Sequence, residues 1–467
     1  MMRFALTDIP AVDRALRSRW PQWLVTAALL GFFVLAIFAG LFGTPAGNRN
    51  FSIVFVWIVW WALLILLMVP FAGRLWCGVC PIPAPGEWLQ RRALVQPRPG
   101  GKLYTLGKKW PRRLRNIWLQ NFGFLMLALF STILLTTPLV TALVLLGFVL
   151  VAIATSLIFE RRTFCRYLCP VGGFIGLYSQ MAPIELRVKD RQVCVEHTEK
   201  SCYTGSDDGY GCPWLVFPGS LTANTYCGLC TECLKTCTRD NIALYVRPPA
   251  ADLLQERPAG AAVPRLDEAY KGLIMLACAV LYSAVLIGPW GALKDAARSV
   301  GTLPWLGYAA AFLTFVLLIL PGLFWLAVRA GGWLDRRRSP SGDSPAGLRP
   351  SRRFAEYATA LVPLGLAAWV AFSLSFVLVN FSYAWSVASD PMGWGWNLLG
   401  TVALGWTPYL PGLVPFIQLP VMLVGVALAV MVALKTAQRL GQAPRAALPV
   451  VGFCVVVTLG LLALYLA

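Results

Sequence analysis

The sequence Cys227-Gly-Leu-Cys230-Thr-Glu-Cys233-Leu-Lys-Thr-Cys237 is the feature from which the fold can be read. In a C-x2-C-x2-C-x3-C run, three thiolates of one loop bind one 4Fe-4S cubane and the fourth cysteine binds a neighbouring cubane. Zinc sites usually use two separated cysteine pairs instead. Thr238 stands where a proline usually follows the last cysteine, and this change removes no ligand. The run therefore predicts iron–sulfur clusters.

A second group of cysteines precedes this run and follows the same order more loosely. Cys194 takes the first ligand position, Cys202 approximates the third after a short insertion, and Cys212 takes the fourth, directly before Pro213. The second position is occupied by His197, the one histidine of the chain. The alignment predicts two 4Fe-4S clusters, one held by Cys212, Cys227, Cys230 and Cys233 and the other by Cys194, His197, Cys202 and Cys237.

His197 has two interpretations, and the sequence leaves both open. As a ligand, its imidazole would remove negative charge from the cluster and raise the reduction potential, as histidine ligation does in Rieske centres. Alternatively, His197 is a solvent-exposed loop residue and the fourth ligand comes from elsewhere. With thirteen cysteines and one histidine, the chain has no means of bis-histidine haem ligation, so we expect no haem.

The composition places these cysteines in a membrane protein. Of 467 residues, 58% are hydrophobic and 13% are charged, which is too apolar for a soluble chain of this length. We expect a polytopic α-helical membrane protein with about nine transmembrane helices and an inserted cytoplasmic α+β domain that carries both clusters. The apolar runs long enough to span a bilayer lie near Gln22–Gly43, Phe51–Ala72, Ile117–Pro138, Leu139–Phe159, Tyr270–Pro289, Leu303–Ala330, Phe354–Trp385, Leu413–Leu434 and Ala446–Ala467.

The basic residues predict the orientation of these spans. With nine spans, every Lys and Arg except Arg49, Lys294 and Arg298 falls on the side of the N-terminus, which the positive-inside rule makes cytoplasmic. The polar N-terminal stretch lacks a signal-peptide cleavage site, so the first helix is predicted to be a retained anchor of the bacterial inner membrane. The formal charge of +19 is then explained by topology and by attraction to the anionic lipid bilayer, and no nucleic-acid partner is expected.

Within the predicted cluster domain, Ile184–Val188 and Ile242–Val246 favour β-structure and are expected to pair as strands that bracket the cluster-binding core.

These assignments divide the chain into six segments. The segments are the cytoplasmic N-terminus 1–20, a four-helix membrane segment 21–160 with a cysteine pair at 77–80, the cytoplasmic iron–sulfur domain 161–269, two membrane helices 270–330, a cytoplasmic linker 331–353 and three membrane helices 354–467.

Two further cysteine pairs follow apolar runs. Cys77-Gly-Val-Cys80-Pro follows the second run and Cys165-Arg-Tyr-Leu-Cys169-Pro follows the fourth, which suggests a degenerate repeat with a period of about 90 residues. If the pairs converge, they would bind a third cluster or another metal, or form redox-active disulfides; otherwise they are turn cysteines beside structural prolines. Nearby arginines favour thiolates, and the reducing cytoplasm disfavours structural disulfides.

The order of these motifs resembles the NapH/NosR/CcoG group of membrane iron–sulfur proteins, also called polyferredoxin-like. The resemblance rests on the two pairs, each followed by proline, and on the run at 227–237, and it covers about residues 20–250. It implies a ferredoxin-like domain that exchanges electrons with a membrane partner, often the quinone pool. Some members reduce metal ions or support assembly of a respiratory enzyme. The first pair departs from the family, which usually has three residues between these cysteines.

The sequence therefore predicts a relay of single electrons between a cytoplasmic carrier, such as ferredoxin or a flavoprotein, and the quinone pool or a partner membrane subunit. Whether the chain is an oxidoreductase subunit is left open, and no catalytic residue is predicted. The alternative is a maturation factor, in which the two pairs bind or reduce a metal for another enzyme. Polar side chains within the spans are candidate quinone contacts, although such residues more often join helices; they are Gln120, Asn121, Asn380, Tyr383 and Gln418.

Overall fold

The computed structural model describes residues 3–97, 103–256, 263–336 and 349–466. Among these residues, eight helices are long and apolar enough to cross a membrane. We number the apolar helices in chain order as α1 (Trp20–Phe42), α2 (Phe51–Ala72), α3 (Trp118–Leu129), α4 (Pro138–Ile158), α5 (Leu266–Ile287), α6 (Leu303–Arg336), α7 (Pro350–Asn380), α8 (Val414–Arg439) and α9 (Pro444–Leu466). Shorter helices include Pro10–Arg17, Leu75–Val79, Ala84–Arg91, Pro170–Tyr178, Arg191–Glu196, Ser201–Thr204, Glu232–Thr236, Ala251–Leu254, Gly291–Arg298 and Tyr383–Ser389.

The third predicted span, 117–138, is not one continuous helix, so among the described residues eight helices, rather than nine, are long and apolar enough to cross a membrane. α3 has 12 residues, Phe130 departs from helical backbone angles, and a short helix follows at Ser131–Leu134. The hydroxyl of Thr132 donates a hydrogen bond of 2.6 Å to the carbonyl of Ala297, and the hydroxyl of Thr136 donates one of 2.8 Å to Thr132 O. Hydroxyl groups that bond to backbone carbonyls bend helices, which explains why an apolar run here is broken.

The predicted linker 331–353 is shorter than expected where it is described. α6 continues to Arg336 and α7 begins at Pro350, where the fixed φ of proline suits the first turn of a helix. The remainder of the predicted linker, 337–348, lies outside the described residues.

The chain divides into two compact units. The first comprises Met1–Pro45, Leu67–Gly123 and Pro138–Asp252, and the second comprises Ala46–Leu66, Phe124–Thr137 and Leu253–Ala467. The first unit holds all the cysteines except Cys278 and Cys454, which are fully buried inside α5 and α9 and pack there as small apolar side chains. Residues 161–252 of the predicted iron–sulfur segment 161–269 thus share one compact unit with α1, α4 and the cysteine pair at 77–80, and the segment from Leu253 belongs to the second unit.

A three-stranded antiparallel sheet covers the cysteine loops of the first unit. β2 (Ile184–Val188) and β3 (Ile242–Val246) have the predicted bounds and pair with Ile184 opposite Val246. β1 (Phe4–Ala5) pairs with the other edge of β3; two residues are too few to show an alternating pattern, so this strand was not predicted. Leu186 and Ile242 pack against Cys202 and Cys233 in one core cluster, so the sheet forms an apolar wall beside the cysteines.

The second unit is held together by hydrogen bonds between its helices. Trp369 Nε1 donates 3.0 Å to Met275 O, joining α7 to α5. The side-chain amide of Gln418 donates 2.7 Å to both Ala371 O and Ser375 Oγ, joining α8 to α7. This is the helix-joining role that polar side chains usually have in membrane bundles, so the structure gives Gln418 a packing partner within the protein.

Candidate iron–sulfur centre

Four cysteines line one cavity in the first unit, namely Cys212, Cys227, Cys230 and Cys233. They are the four that the sequence assigns to one cluster. Leu229 and Thr231, which flank Cys230, have positive φ angles of 49° and 59°, so the loop changes direction on both sides of Cys230. Cys233 lies on the short helix Glu232–Thr236. These local turns let one short run bring three cysteines to the same cavity.

Two features of this cavity fit a cubane. The indole Nε1 of Trp214 is buried and finds no hydrogen-bond partner among the described residues, whereas buried donors are nearly always paired. Gly228 leaves no room for a side chain, because an added Cβ would lie 2.0 Å from Trp214 Nε1. Hydrogen bonds to the sulfur atoms are one means by which proteins tune these clusters. A donor without a partner beside four thiols is therefore suited to a 4Fe-4S cluster.

The other predicted set, Cys194, Cys202 and Cys237, is linked by Asn241. Its side-chain amide donates a hydrogen bond of 3.2 Å to Cys194 Sγ, and its backbone N–H donates one of 3.4 Å to Cys237 Sγ. Burial raises the pKa of Cys202 to about 12, and the charges of Cys237 and Cys194 act in the same direction. The three cysteines are thus within electrostatic reach of one another, and N–H donors already face two of the sulfurs.

His197 lies beside this set. Its Nε2 is 3.5 Å from Thr238 Oγ1 and 3.8 Å from Glu199 Oε2, and its side chain is 14% exposed. Thr238 directly follows Cys237, so the imidazole stands near the cysteine that it would join as a ligand. The contacts of its ring are with oxygen atoms, and ligation by His197 stays a prediction.

The two remaining pairs, Cys77/Cys80 and Cys165/Cys169, come together in the same unit, and we call these four residues the edge quartet. Burial raises the pKa of Cys169 to about 11; the N–H of Gly172, 3.2 Å from its Sγ, opposes this shift and the charge of Cys77 adds to it. Burial also raises the pKa of Cys165, Arg162 opposes this shift, and the charges of Cys169, Cys80 and Cys77 add to it. All four thiols therefore influence one another.

Two buried arginines cross between the pairs in a reciprocal arrangement. Arg74 stands three residues before Cys77 and donates 3.0 Å to Gly172 O, beyond the second pair. Arg162 stands three residues before Cys165 and donates 2.6 Å to Cys77 O. Arg162 also forms a buried ion pair with Glu87, in which Nη2 lies 2.8 Å from Oε2. Each arginine thus fastens its own cysteine pair to the backbone of the other pair.

The edge quartet lies against the cluster-binding run. A Cβ on Gly78, between Cys77 and Cys80, would lie 3.3 Å from the carbonyl oxygens of both Gly228 and Leu229. Arg74 also donates to Thr225 O and stacks 4.2 Å from the ring centre of Trp214. The backbone of the first pair therefore touches the loop that carries Cys227 and Cys230.

Among the residues that the structure describes, no group of three or more His, Cys, Asp or Glu side chains stands ready to hold a metal ion. The cysteine sets are therefore assigned from the cavity, the hydrogen bonds and the electrostatic contacts that their members share. Burial raises the pKa of Cys230 to about 12, and bound metal replaces the protons of such thiols because it stabilises the thiolate.

The comparison with known families points to the same chemistry. Residues 53–113 and 141–189 match the family model described as a 4Fe-4S binding domain. The chain is an iron–sulfur protein. No curated protein and no solved structure matches it. The first matched segment contains Cys77 and Cys80, and the second contains Cys165 and Cys169, so the match falls on the edge quartet rather than on the run at 227–237.

Sequence reasoning missed several residues of this iron–sulfur protein. Trp214 and Asn241 act through tertiary contacts that no local pattern reveals, and the crossed hydrogen bonds of Arg74 and Arg162 were not predicted. The arginines had one usable signal, because Arg74 and Arg162 hold the same position, three residues before the first cysteine, in both halves of the repeat.

Proposed function

We propose that this membrane iron–sulfur protein relays single electrons between a cytoplasmic carrier, such as ferredoxin or a flavoprotein, and the quinone pool or a partner membrane redox subunit. Cys212, Cys227, Cys230 and Cys233 would hold one 4Fe-4S cluster, which accepts or donates one electron at a time. The observation that carries this proposal is the single cavity lined by these four cysteines.

The second cluster of the relay would be held by Cys194, Cys202 and Cys237 with His197. Cys202 and Cys233, one from each set, pack in the same core cluster. Adjacent clusters are what a relay requires, because each electron must pass from one to the next. The order of the motifs supports placing the chain with the NapH/NosR/CcoG group, and the match to a 4Fe-4S binding domain is consistent with that placement.

We propose that both clusters face the cytoplasm of a bacterium and that the protein spans the inner membrane. β1 pairs with β3, so residues 4 and 246 lie on one side of the membrane. Crossings by α1, α2 and α4 alone would place them on opposite sides. A fourth crossing through α3 and the helix Ser131–Leu134 returns residue 246 to the same side as residue 4. The excess of basic residues on that side supports its assignment as cytoplasmic.

Iron and acid-labile sulfide analysis of anaerobically purified protein, with redox-titrated EPR, tests this function. Two cubanes require about eight irons per chain, since each holds four. Fewer irons would contradict the two-cluster proposal. About twelve irons would show that the edge quartet also holds a cubane, which its convergence and the family match both favour.

A maturation factor is the second candidate, and the convergence of the edge quartet is the observation that favours it. In this role the quartet would bind or reduce a metal that then passes to another enzyme. Copper or iron that binds the wild type, is lost in a Cys165→Ser variant and transfers to an acceptor chelator would support this role. A quartet with a permanently bound cubane would exclude it.

A further inference from the structure

A polar cavity, partly open to solvent, lies in the first unit beside the start of α1. Its lining includes Cys80 of the edge quartet and Cys230 of the cluster-binding run. Trp23 and Thr26 of α1 form part of its wall. One cavity therefore reaches a cysteine from each of the two neighbouring sets, and a molecule bound in it would be close to both.

The charged side chains of this cavity are already paired with one another. Arg19 Nη1 lies 3.0 Å from Glu232 Oε1, and Arg162 Nη2 lies 2.8 Å from Glu87 Oε2. Buried arginines that are neutralised in this way are less available to a phosphate than unpaired ones. The cavity is thus better matched to a neutral polar group than to an anion.

Trp23 supplies a hydrogen-bond donor without an acceptor. Its Nε1 is buried and has no partner among the described residues. An indole N–H can only donate, and leaving it unpaired in a buried position costs free energy. A carbonyl oxygen of a bound molecule would satisfy it.

A second cavity, also partly open, continues along the same face of α1, and every residue that lines it is apolar. Leu30, Phe33 and Ile37 follow Trp23 and Thr26 at spacings of three or four residues, which is one stripe of a helix. Pro81 and Ile82, directly after Cys80, form part of the opposite wall. The apolar cavity thus follows the polar cavity along α1. Cys80 lines the polar cavity, and the next two residues of the chain line the apolar cavity.

We propose that these two cavities form the binding site for a lipid-soluble quinone. The head group occupies the polar cavity with one carbonyl oxygen accepting from Trp23 Nε1, and the isoprenoid tail lies in the apolar cavity along α1. This inference rests on the proposed function and gives its membrane substrate a position. Reduction balances as one quinone plus two electrons, one from each of two reduced clusters, and two protons from water, giving one quinol and two oxidised clusters.

The test uses the full chain, purified anaerobically, reduced with dithionite and then desalted. Oxidation of the clusters is followed by absorbance after addition of decylubiquinone or of ubiquinone-0, which has the same head and no tail. Val34 lines the apolar cavity and Val25 does not; nine residues separate them, so they lie on opposite faces of α1, and both are about half-exposed. Val34→Trp fills the cavity, and Val25→Trp is the matched control.

We expect Val34→Trp to raise the concentration of decylubiquinone that half-saturates the rate of cluster oxidation on the order of tenfold, equivalent to about 1.4 kcal/mol, and to leave the reaction with ubiquinone-0 unchanged. Val25→Trp should leave both unchanged. Trp23→Phe keeps an aromatic ring but removes the N–H donor, so it should raise the half-saturating concentration several-fold for both quinones. Iron content should be the same in all variants.

The outcomes separate this site from the function on which it rests. Missing clusters, or clusters that dithionite cannot reduce, would overturn the proposed function. Intact, reducible clusters that neither quinone oxidises in the wild type would overturn the quinone site alone. Equal effects of Val34→Trp and Val25→Trp would also overturn it. If phosphatidylglycerol displaces decylubiquinone and decylubiquinone never oxidises the clusters, the cavities hold a lipid instead.

Discussion

The cluster-binding run at 227–237 and the edge quartet achieve the same result, four cysteines in one place, by different means. In the run, three of the four cysteines of one set come from a single loop, and backbone turns at Leu229 and Thr231 present them to the cavity. In the quartet, the cysteines come from two segments far apart in sequence, joined by crossed arginines. The comparison shows that a local motif carries its own geometry, whereas a divided one is joined by buried, charged side chains.

Removing one cysteine from each set gives the largest expected effect. Cys233→Ser should remove about four irons per chain, the content of one cubane, and the EPR signal of that cluster. Cys165→Ser should remove about four more only if the quartet also holds a cubane. Cys278→Ser, a change of a buried cysteine in α5, is the control and should keep all the iron. Full iron content in Cys233→Ser would contradict the assignment of the run.

Removing a crossed arginine tests whether the quartet depends on buried charge. Arg162→Met leaves Glu87 buried without its main partner, which typically costs about 3–5 kcal/mol. The free energy of unfolding in detergent, measured by chemical denaturation, should fall by that amount at pH 7. The double variant Arg162→Met/Glu87→Met should recover much of the loss, and a double variant as unstable as the single one would show that the charge is not the cause.

The same variant has a predictable pH dependence. Burial favours the neutral form of Glu87, but Arg162 and Arg91 outweigh burial and hold its pKa below the usual value. A carboxylate with a lowered pKa contributes stability above its unfolded-state pKa and loses it as the pH falls through the folded-state pKa. Without Arg162 the pKa of Glu87 should rise, so the difference in stability between wild type and Arg162→Met should shrink as the pH is lowered.

Two glycines allow a smaller, matched test of the two regions. Gly228→Ala places a Cβ 2.0 Å from Trp214 Nε1, whereas Gly78→Ala places one 3.3 Å from backbone carbonyls. Overpacking of this kind costs about 1–3 kcal/mol, and we expect Gly228→Ala to cause the greater loss. Cluster decay on exposure to air, followed by absorbance, should be faster in Gly228→Ala than in Gly78→Ala. Equal decay would mean that Trp214 moves aside easily.

His197 gives the smallest and most specific effect. If it binds the cluster, His197→Cys should keep the iron and lower the reduction potential, because a thiolate adds negative charge. His197→Ala should then change the EPR spectrum. Unchanged spectra and potential in both variants would assign His197 to the loop, where Thr238 and Glu199 are its neighbours.

The run and its strands were predictable from sequence because their information is local. Spacing and order grouped the four cysteines that line one cavity, and β-forming residues predicted the bounds of β2 and β3. The break in the apolar run at 117–138 was not predictable, because hydrophobicity does not register the hydrogen bonds that the hydroxyl groups of Thr132 and Thr136 make to backbone carbonyls. The roles of Trp214 and Asn241 depend on contacts between distant segments, for which a single sequence holds no pattern.

β1 links the order of synthesis to the order of assembly. Residues 4 and 5 leave the ribosome long before Tyr245 and Val246, their partners in the sheet, and the membrane segments between them must be inserted in the meantime. The sheet therefore closes late in biogenesis, and cofactor loading of the cysteines beneath it has an open interval before closure.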